Sequence, residues 1–394
     1  MALTASGSRT RIPFNGSPRP TLGVELEVQI LDPETMNLAS GSLDILGRAN
    51  TNGTEHPKIK QELTQSTIEV ITGICDTVAD ARADLTETLE TVYEIGDDVG
   101  LALALAGTHP FAQWRDQEIF PNERYQRLVE RIQWPVRRLM IYGLHVHVGI
   151  SSGEKAIAIS NALTTYIPHL LALSASSPYT DYEDTGLASA RSKIFEGMPT
   201  AGLPFRLANY GEFQAFMNTL IRAGAIQSVR EIWWDIRPHP NFGTIEVRVC
   251  DVPSTLSEIA ALTAFIQSLV VCLGDHYDEG HYVDILRAWI VRENKWRAAR
   301  NGLDAEIITD NQGGRAPLRQ EIERVLQEIE PHARDLGCYD ELQGIRTILR
   351  DGASYERQRR VYAETGSLEA IVSSLSDQMR ADVLGSVAAS RQRL

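Results

Sequence analysis

Apolar and polar residues alternate in four short stretches of the chain, and the alternation predicts strands. In Leu22–Ile30 the run GVELEV sets Val24, Leu26 and Val28 against Glu25 and Glu27. In Leu144–Ile150 the run LHVHVG sets Leu144, Val146 and Val148 against His145 and His147. In Thr244–Val249 the run TIEVRV sets Ile245, Val247 and Val249 against Glu246 and Arg248. The fourth stretch, Ser66–Thr72, carries Glu69 between Ile68 and Val70, with Glu62 upstream. A strand has a period of two, so each polar pair projects from one face and its apolar partners from the other. The apolar run Leu101–Ala106 predicts a further short strand.

Helical spacing fills much of the rest. Val78–Ile95 puts Val78, Leu85, Leu89 and Val92 on one face. Asn122–Met140 reads as a helix interrupted at Pro135. Glu154–Leu173 and Leu256–His276 are apolar and helical. After Asn301-Gly302 and a polar stretch to Pro317, the spacing of Leu318, Ile322, Val325, Leu326 and Ile329 restarts a helical pattern that continues to Leu394. Ser174–Phe205, rich in Ser, Gly, Pro and Tyr, reads as a long loop of the functional or mobile kind. Strands and helices mix without a regular βαβ rhythm, and no glycine-rich phosphate loop follows a strand. The expected class is therefore α+β rather than doubly wound α/β.

The residue types on the polar faces sharpen this pattern. Solvated sheet faces carry Thr, Lys, Gln and Ser, whereas these carry Glu, His and Arg with no lysine. Carboxylates crowded on one face repel unless a cation sits among them. Oxygen ligands with an imidazole suit Mg²⁺ or Mn²⁺. No thiol lies in these strands apart from the neighbouring Cys250, so structural zinc is not expected there. An HxH strand also occurs in barrel-type metal hydrolases, but early in the chain. Here it lies mid-chain, behind an ExE pair.

Composition narrows the classes further. The 394 residues suffice for one large domain or two ordinary ones. Acidic residues outnumber basic ones, 52 to 38, for a net charge of −14. That balance argues against a chain held to nucleic acid or a membrane by bulk charge. Residues 1–20 lack the apolar segment of a signal peptide and read as a disordered tail. The most apolar stretch, Ile259–Gly274, contains Thr263, Gln267 and Ser268 and is too short and polar to span a bilayer. Cys75, Cys250, Cys272 and Cys338 are far apart, as in neither a disulfide scaffold nor a zinc knuckle, and a cytoplasmic location is expected.

An early ExE strand, a middle HxH strand and a late ExR strand together resemble the pattern of the glutamine synthetase-like catalytic fold. Within it, TLGVELEVQILD, ELTQSTIEVITGIC, GLHVHVGI, SARSKIFEGMPTAGLP, IWWDIRPHPNFGTIEVRVCDVPST and RENKWRAARNGLDAEII resemble the type 2 glutamate–cysteine ligase family, the carboxylate–amine ligases. The resemblance implies a curved, mainly antiparallel sheet whose concave face forms a funnel, backed by helices. It implies a ligase domain over 21–310 and a helical extension over 311–394 packed on the same domain. The implied reaction joins the γ-carboxylate of glutamate to an amine, cysteine or another, through an acyl phosphate. ATP is the co-substrate, ADP and phosphate are released, and Mg²⁺ or Mn²⁺ is required. A homodimer is implied.

Carried over residue by residue, the resemblance makes Glu25, Glu27, Glu69, His145, Glu246 and Glu62 metal ligands. Glu27 serves the glutamate side, His147 meets the nucleotide phosphates and Arg248 contacts the transferring phosphoryl group. Arg191 and Arg237 are the candidates for substrate carboxylates, which Arg pairs with bidentately. Asp251 either orients Arg248 or caps the following helix. Trp233 and Trp234 read as core or pocket wall, and Cys75 and Cys250 as small buried hydrophobes. Two other readings stand beside the ligase. One is a guanidino phosphotransferase on the same scaffold, which forms no amide. The other is a non-catalytic protein that binds a nucleotide or amino acid, against which the complete set of acids speaks.

Overall fold

In the computed structural model, which describes residues 11–51, 53–281 and 285–391, the alternating stretches assemble side by side. The strands are β1 (Leu22–Leu31), β2 (Ile59–Gln61), β3 (Thr67–Ile71), β4 (Ala102–Ala104), β5 (Gly143–Gly149), β6 (Ile236–His239) and β7 (Thr244–Asp251). They form one seven-stranded sheet in the order β6-β7-β5-β1-β3-β2, with β4 also paired to β1. Every pairing in it is antiparallel, and the sheet does not close into a barrel.

The apolar half of each alternation explains why these stretches meet. Leu22, Val24, Leu26 and Val28 of β1, Ile68 and Val70 of β3, Leu144, Val146 and Val148 of β5, and Ile245 and Val247 of β7 are all buried in one core. Helices close that face: α1 (Val78–Val99), α2 (Gly153–Leu163), α3 (Ile167–Ser174) and α4 (Leu256–Asp278). Val78, Leu85, Leu89 and Val92, the expected α1 stripe, lie in the same core. Burying each such side chain is worth about 1.5–3 kcal/mol. Thr77 and Asp80 form a reciprocal capping box at the start of α1, and Gly100, at φ 73°, ends it in the left-handed conformation.

Some expectations need correction. The 122–140 segment splits into helices Glu123–Ile132 and Trp134–Arg137, with the break at Gln133 rather than at Pro135. Proline disfavours helix in what precedes it but suits a first helical turn, so it opens the second helix. Leu256–Asp278 is longer than the apolar stretch read from the sequence, and together with Gly153–Ser174 it is long and apolar enough to cross a membrane. Their apolar windows are 83% and 78% buried inside the fold, so core packing accounts for the hydropathy. The 174–205 segment is not an open loop. It holds the helix Ala190–Phe195, and Ala188, Ser189, Ala190 and Arg191 are buried.

Residues 318–391 form α5 (Leu318–Asp335), α6 (Tyr339–Asp351), α7 (Ser354–Thr365) and α8 (Leu368–Arg391). Helices α5 and α6 pack on α4, and α8 packs on α1 and β4. Leu318, Ile322, Val325, Leu326 and Ile329 are all buried, as their spacing predicts. Of the expected 1–20 tail, residues 1–10 lie outside the described residues. Residues 11–20 run without helix or strand, tied down by Asn15 N–H to the Pro240 carbonyl (2.9 Å) and Ser17 N–H to the Ile150 carbonyl (2.9 Å).

Candidate active site

The polar half of the alternation converges on the opposite, concave face. Register sets the neighbours: Glu25 lies across from His145, Glu27 from Glu69, and Glu246 from both His147 and Arg237. Directly opposed residues on a sheet have Cβ atoms about 5 Å apart, close enough to interact. A cavity of about 460 Å³ stands over this face. It is lined by Glu25, Glu27, Glu62, Glu69, His145, His147, Arg191, Arg237 and Arg248, so nine of the ten sequence candidates share it, and the tenth, Glu246, is fully buried beside His147 and Arg248.

Two groups of three ligands meet there and share Glu25. Glu25, Glu69 and His145 form one, and Glu25, His147 and Glu246 the other, each with ligand atoms within 4.8 Å of one another. Glu25 Oε2 lies 3.3 Å from His145 Nδ1, and Oε1 lies 3.4 Å from His147 Nε2. Thr244 orients His147 through its hydroxyl, 2.9 Å from Nδ1. His147 Nε2 is buried without a hydrogen-bond partner, although Glu25 and Glu246 oxygens stand 3.4 and 3.8 Å away. Glu27 and Glu62 line the cavity but fall outside both groups. Glu27 Oε2 accepts from Gly143 N–H at 2.5 Å, and Glu62 Oε2 accepts from Leu63 N–H at 2.6 Å.

Charge is unevenly compensated across the face. Toward β6 and β7, Arg237 grips Glu246 with Nε (2.8 Å) and Nη2 (2.9 Å), and Arg248 donates to the same carboxylate. Burial opposes ionisation of Glu246, yet the two guanidinium groups hold it well below the usual carboxylate range. Toward β1 and β3 the balance reverses for every carboxylate but Glu25, where burial is opposed by hydrogen bonds with His145 and His147 that hold it well below the usual range. Burial, then the Glu62 charge, pushes Glu27 up to about 7. Burial, then Glu25, Glu62 and Glu27, raises Glu69 well above its ordinary value. Burial likewise raises Glu62. Burial and the Arg248 charge bring His145 down to about 4, so its imidazole is neutral and carries a lone pair at neutral pH. Crowded carboxylates beside a neutral imidazole are the electrostatics of a cation site.

The two candidate substrate arginines differ. Arg237 also donates from Nη1 to the Val229 and Ile232 carbonyls (3.3 and 3.0 Å), so four of its N–H groups are engaged. Among the described residues the Arg191 guanidinium makes only long hydrogen bonds, 3.4 Å to the Val249 and Arg248 carbonyls, and its Nε has no hydrogen-bond partner. Asp251 neither orients Arg248 nor caps the following helix, which Thr255 caps. It accepts from Ser176 N–H (3.0 Å), Ser177 Oγ (2.6 Å) and Ser189 Oγ (2.9 Å), and lies 3.8 Å from Arg191. It therefore anchors the segment that carries Arg191. Trp233 lines the cavity and Trp234 is core, and Cys75 and Cys250 are buried in the core.

Sequence reasoning missed several contributors. Arg124, Tyr125, Arg230 and Phe242 also line the cavity, from helices and loops with no alternation to mark them. Lys295 is buried between Asp235 (2.7 Å) and Glu196 (2.8 Å) and ties the helix Ala288–Asn301 to the strand edge before Arg237. Its signal lies in RENKW and WWD, within two of the stretches that resemble the family.

Comparison with known proteins concerns the chain as a whole. The model of the family described as glutamate-cysteine ligase family 2 matches residues 21–374. A Thermobifida fusca protein bearing the name "Putative glutamate--cysteine ligase 2" is 47% identical over 94% of this chain and 93% of its own. A Gloeobacter violaceus protein of the same name is 46% identical over 92% of this chain and 98% of its own. Among solved structures, a glutamate–cysteine ligase from Francisella tularensis in complex with AMP superposes at a TM-score of 0.67. It has 15% identity and covers 96% of this chain and 95% of its own. A bifunctional glutathione synthetase from Pasteurella multocida superposes at 0.65 with 14% identity, over 93% of this chain and 53% of its own. At those identities the likeness shows the fold alone, a mixed helix-and-sheet architecture shared with these two structures.

Proposed function

The chain belongs to glutamate–cysteine ligase family 2, and from that membership we propose that it is an ATP-dependent carboxylate–amine ligase acting on the γ-carboxylate of glutamate. The observation that carries the reading is the pair of three-ligand groups sharing Glu25, set beside carboxylates whose burial and mutual repulsion oppose ionisation. Mg²⁺ or Mn²⁺ fits these donors: mostly carboxylate oxygens, one imidazole in each group, that of His145 neutral, and a buried His147 Nε2 with no hydrogen bond. Glu25, Glu69 and His145 would hold one cation, and Glu25, His147 and Glu246 the other, with Glu27 and Glu62 beside them. When bound, such cations offset phosphate charge and align the transferring group.

The chain's own groups supply the rest. A carboxylate is a poor acyl donor, and phosphorylation by ATP converts it into an acyl phosphate that an amine attacks, releasing phosphate. Arg248, at the funnel wall and paired with Glu246, stabilises charge on the phosphoryl group in flight. Arg191, with an unpartnered Nε, suits the substrate's α-carboxylate better than Arg237, which is committed to Glu246. His145, His147 and Glu246 are themselves buried, which strengthens their electrostatic interaction with groups bound over them.

The test is turnover. Purified protein with ATP, Mg²⁺, glutamate and a panel of amines, cysteine among them, should release ADP and phosphate and yield a γ-glutamyl amide by mass. Folded protein that forms no amide with any amine of a broad panel would sink the proposal. A phosphorylated guanidino product in place of an amide would identify a phosphotransferase on the same scaffold.

A further inference from the structure

Behind the sheet, away from the funnel, α4 and α5 bring a second kind of donor set together. Cys272 and His276 stand four residues apart on α4 and so share one face of the helix. Glu328 reaches them from α5. The thiol sulfur, an imidazole nitrogen and a carboxylate oxygen all lie within 4.8 Å of one another. Arg324 holds Glu328 by Oε2 at 3.1 Å, which leaves Oε1 for a cation. Close by, His332 of α5 meets Asp275 of α4 at 3.3 Å, and its other ring nitrogen, Nδ1, is buried with no hydrogen-bond partner. Cys272 is 1% exposed, His276 is half-buried and Glu328 is exposed, so the cluster opens to solvent on one side only.

We propose that Cys272, His276 and Glu328 form a site for a borderline-soft divalent cation such as Zn²⁺, which clips α4 of the sheet-backing layer to α5 of the C-terminal helices. The donor set decides the class. Thiolate and imidazole favour Zn²⁺ over Mg²⁺ or Mn²⁺, which the all-carboxylate-and-imidazole funnel suits instead. Three protein ligands leave a fourth position on the open side for water. Binding forms a sulfur–metal bond, and the thiol proton leaves to solvent, with no change of oxidation state. The site needs nothing from the funnel and does not rest on the proposed reaction. Its effect is on stability, because a metal that binds only the folded state raises that state's stability by mass action.

Cobalt(II) reports the site directly, because only a thiolate ligand gives a sulfur-to-cobalt charge-transfer band in the near ultraviolet. The full chain, with Mg²⁺ present in excess to fill the funnel, is titrated with Co²⁺ alone. The expected result is that band, saturating at one equivalent, bleached by Zn²⁺ and accompanied by a higher melting temperature. Cys272→Ser, which keeps the side chain's size, should abolish the band, and His276→Ala should weaken Co²⁺ binding by about tenfold or more. Absence of the band in the unmodified chain, or its survival in folded Cys272→Ser, would overturn the proposal. So would unchanged Co²⁺ affinity in His276→Ala, whose half-buried position tolerates the change.

Discussion

The two faces of one sheet behave as opposite materials. On the convex face Leu26, Val146 and Val247 are 0% exposed and pack against helices, so each stabilises the fold. On the concave face the residues between them are Glu25, Glu27, His145, His147 and Glu246, several of them also buried. There burial works against the charged groups, raising Glu27, Glu62 and Glu69 and depressing His145. Neighbouring residues on the same strand thus do opposite things. The convex side supplies rigidity, and the concave side uses it to hold like charges together until a ligand neutralises them. Stability and turnover should therefore separate by side-chain parity.

The widest separation is expected at Glu27 and Arg248. Glu27→Gln and Arg248→Ala should each lower turnover by about 10³-fold, while circular dichroism and the melting temperature stay close to those of the unmodified chain. The structure gives the reason for the second half. Gln still presents an oxygen to Gly143 N–H, and Glu246 keeps its bidentate Arg237 when Arg248 is removed. Near-normal rates in either variant would remove that residue from the proposed machinery.

The converse change is Leu26→Ala, between Glu25 and Glu27 on β1. It empties space at a fully buried position in the centre of the core and should cost about 3 kcal/mol. A urea titration measures that loss. The rate per folded molecule should fall far less than in the concave-face variants. If Leu26→Ala were neutral, the convex face would not be the close-packed support that its burial indicates.

Parity also explains what could be read in advance. The strands Leu22–Leu31, Gly143–Gly149 and Thr244–Asp251 were legible because alternation is local, and it named both the core side and the chemical side. Partners across the fold were not. Arg237 looked free for a substrate carboxylate until the β6–β7 register set it against Glu246. Asp251 finds its hydroxyl partners in Ser177 and Ser189, more than sixty residues away in the chain. Arg124 and Arg230 reach the funnel from elements whose periodicity carries no trace of it. The 174–205 segment looked like loop because its small polar residues are also the ones that can bury against a carboxylate. Local pattern therefore recovered the faces of the sheet, and tertiary pairing decided which charges on the polar face are free.

The subtlest test of the comparison is Glu69→Gln. Burial and the neighbouring Glu25, Glu62 and Glu27 raise Glu69 well above its ordinary value of 4.5. Its folded form therefore binds protons more tightly than its unfolded form. Stability of the metal-free chain should accordingly fall as pH rises from 4.5 through that raised value. Glutamine mimics the protonated carboxyl, so in chelator the variant should be the more stable protein at neutral pH, by on the order of 1 kcal/mol. The difference should shrink to nothing below pH 4.5, where Glu69 is protonated in both states. Excess Mg²⁺ should invert the order, because only the unmodified chain has the full ligand group of Glu25, Glu69 and His145 to bind it. Denaturant titrations at two pH values, each with chelator and with Mg²⁺, read all four corners. A variant less stable than the parent in chelator at neutral pH would mean that Glu69 supports the fold, as the residues on either side of it do, and the division between the faces would fail at that position.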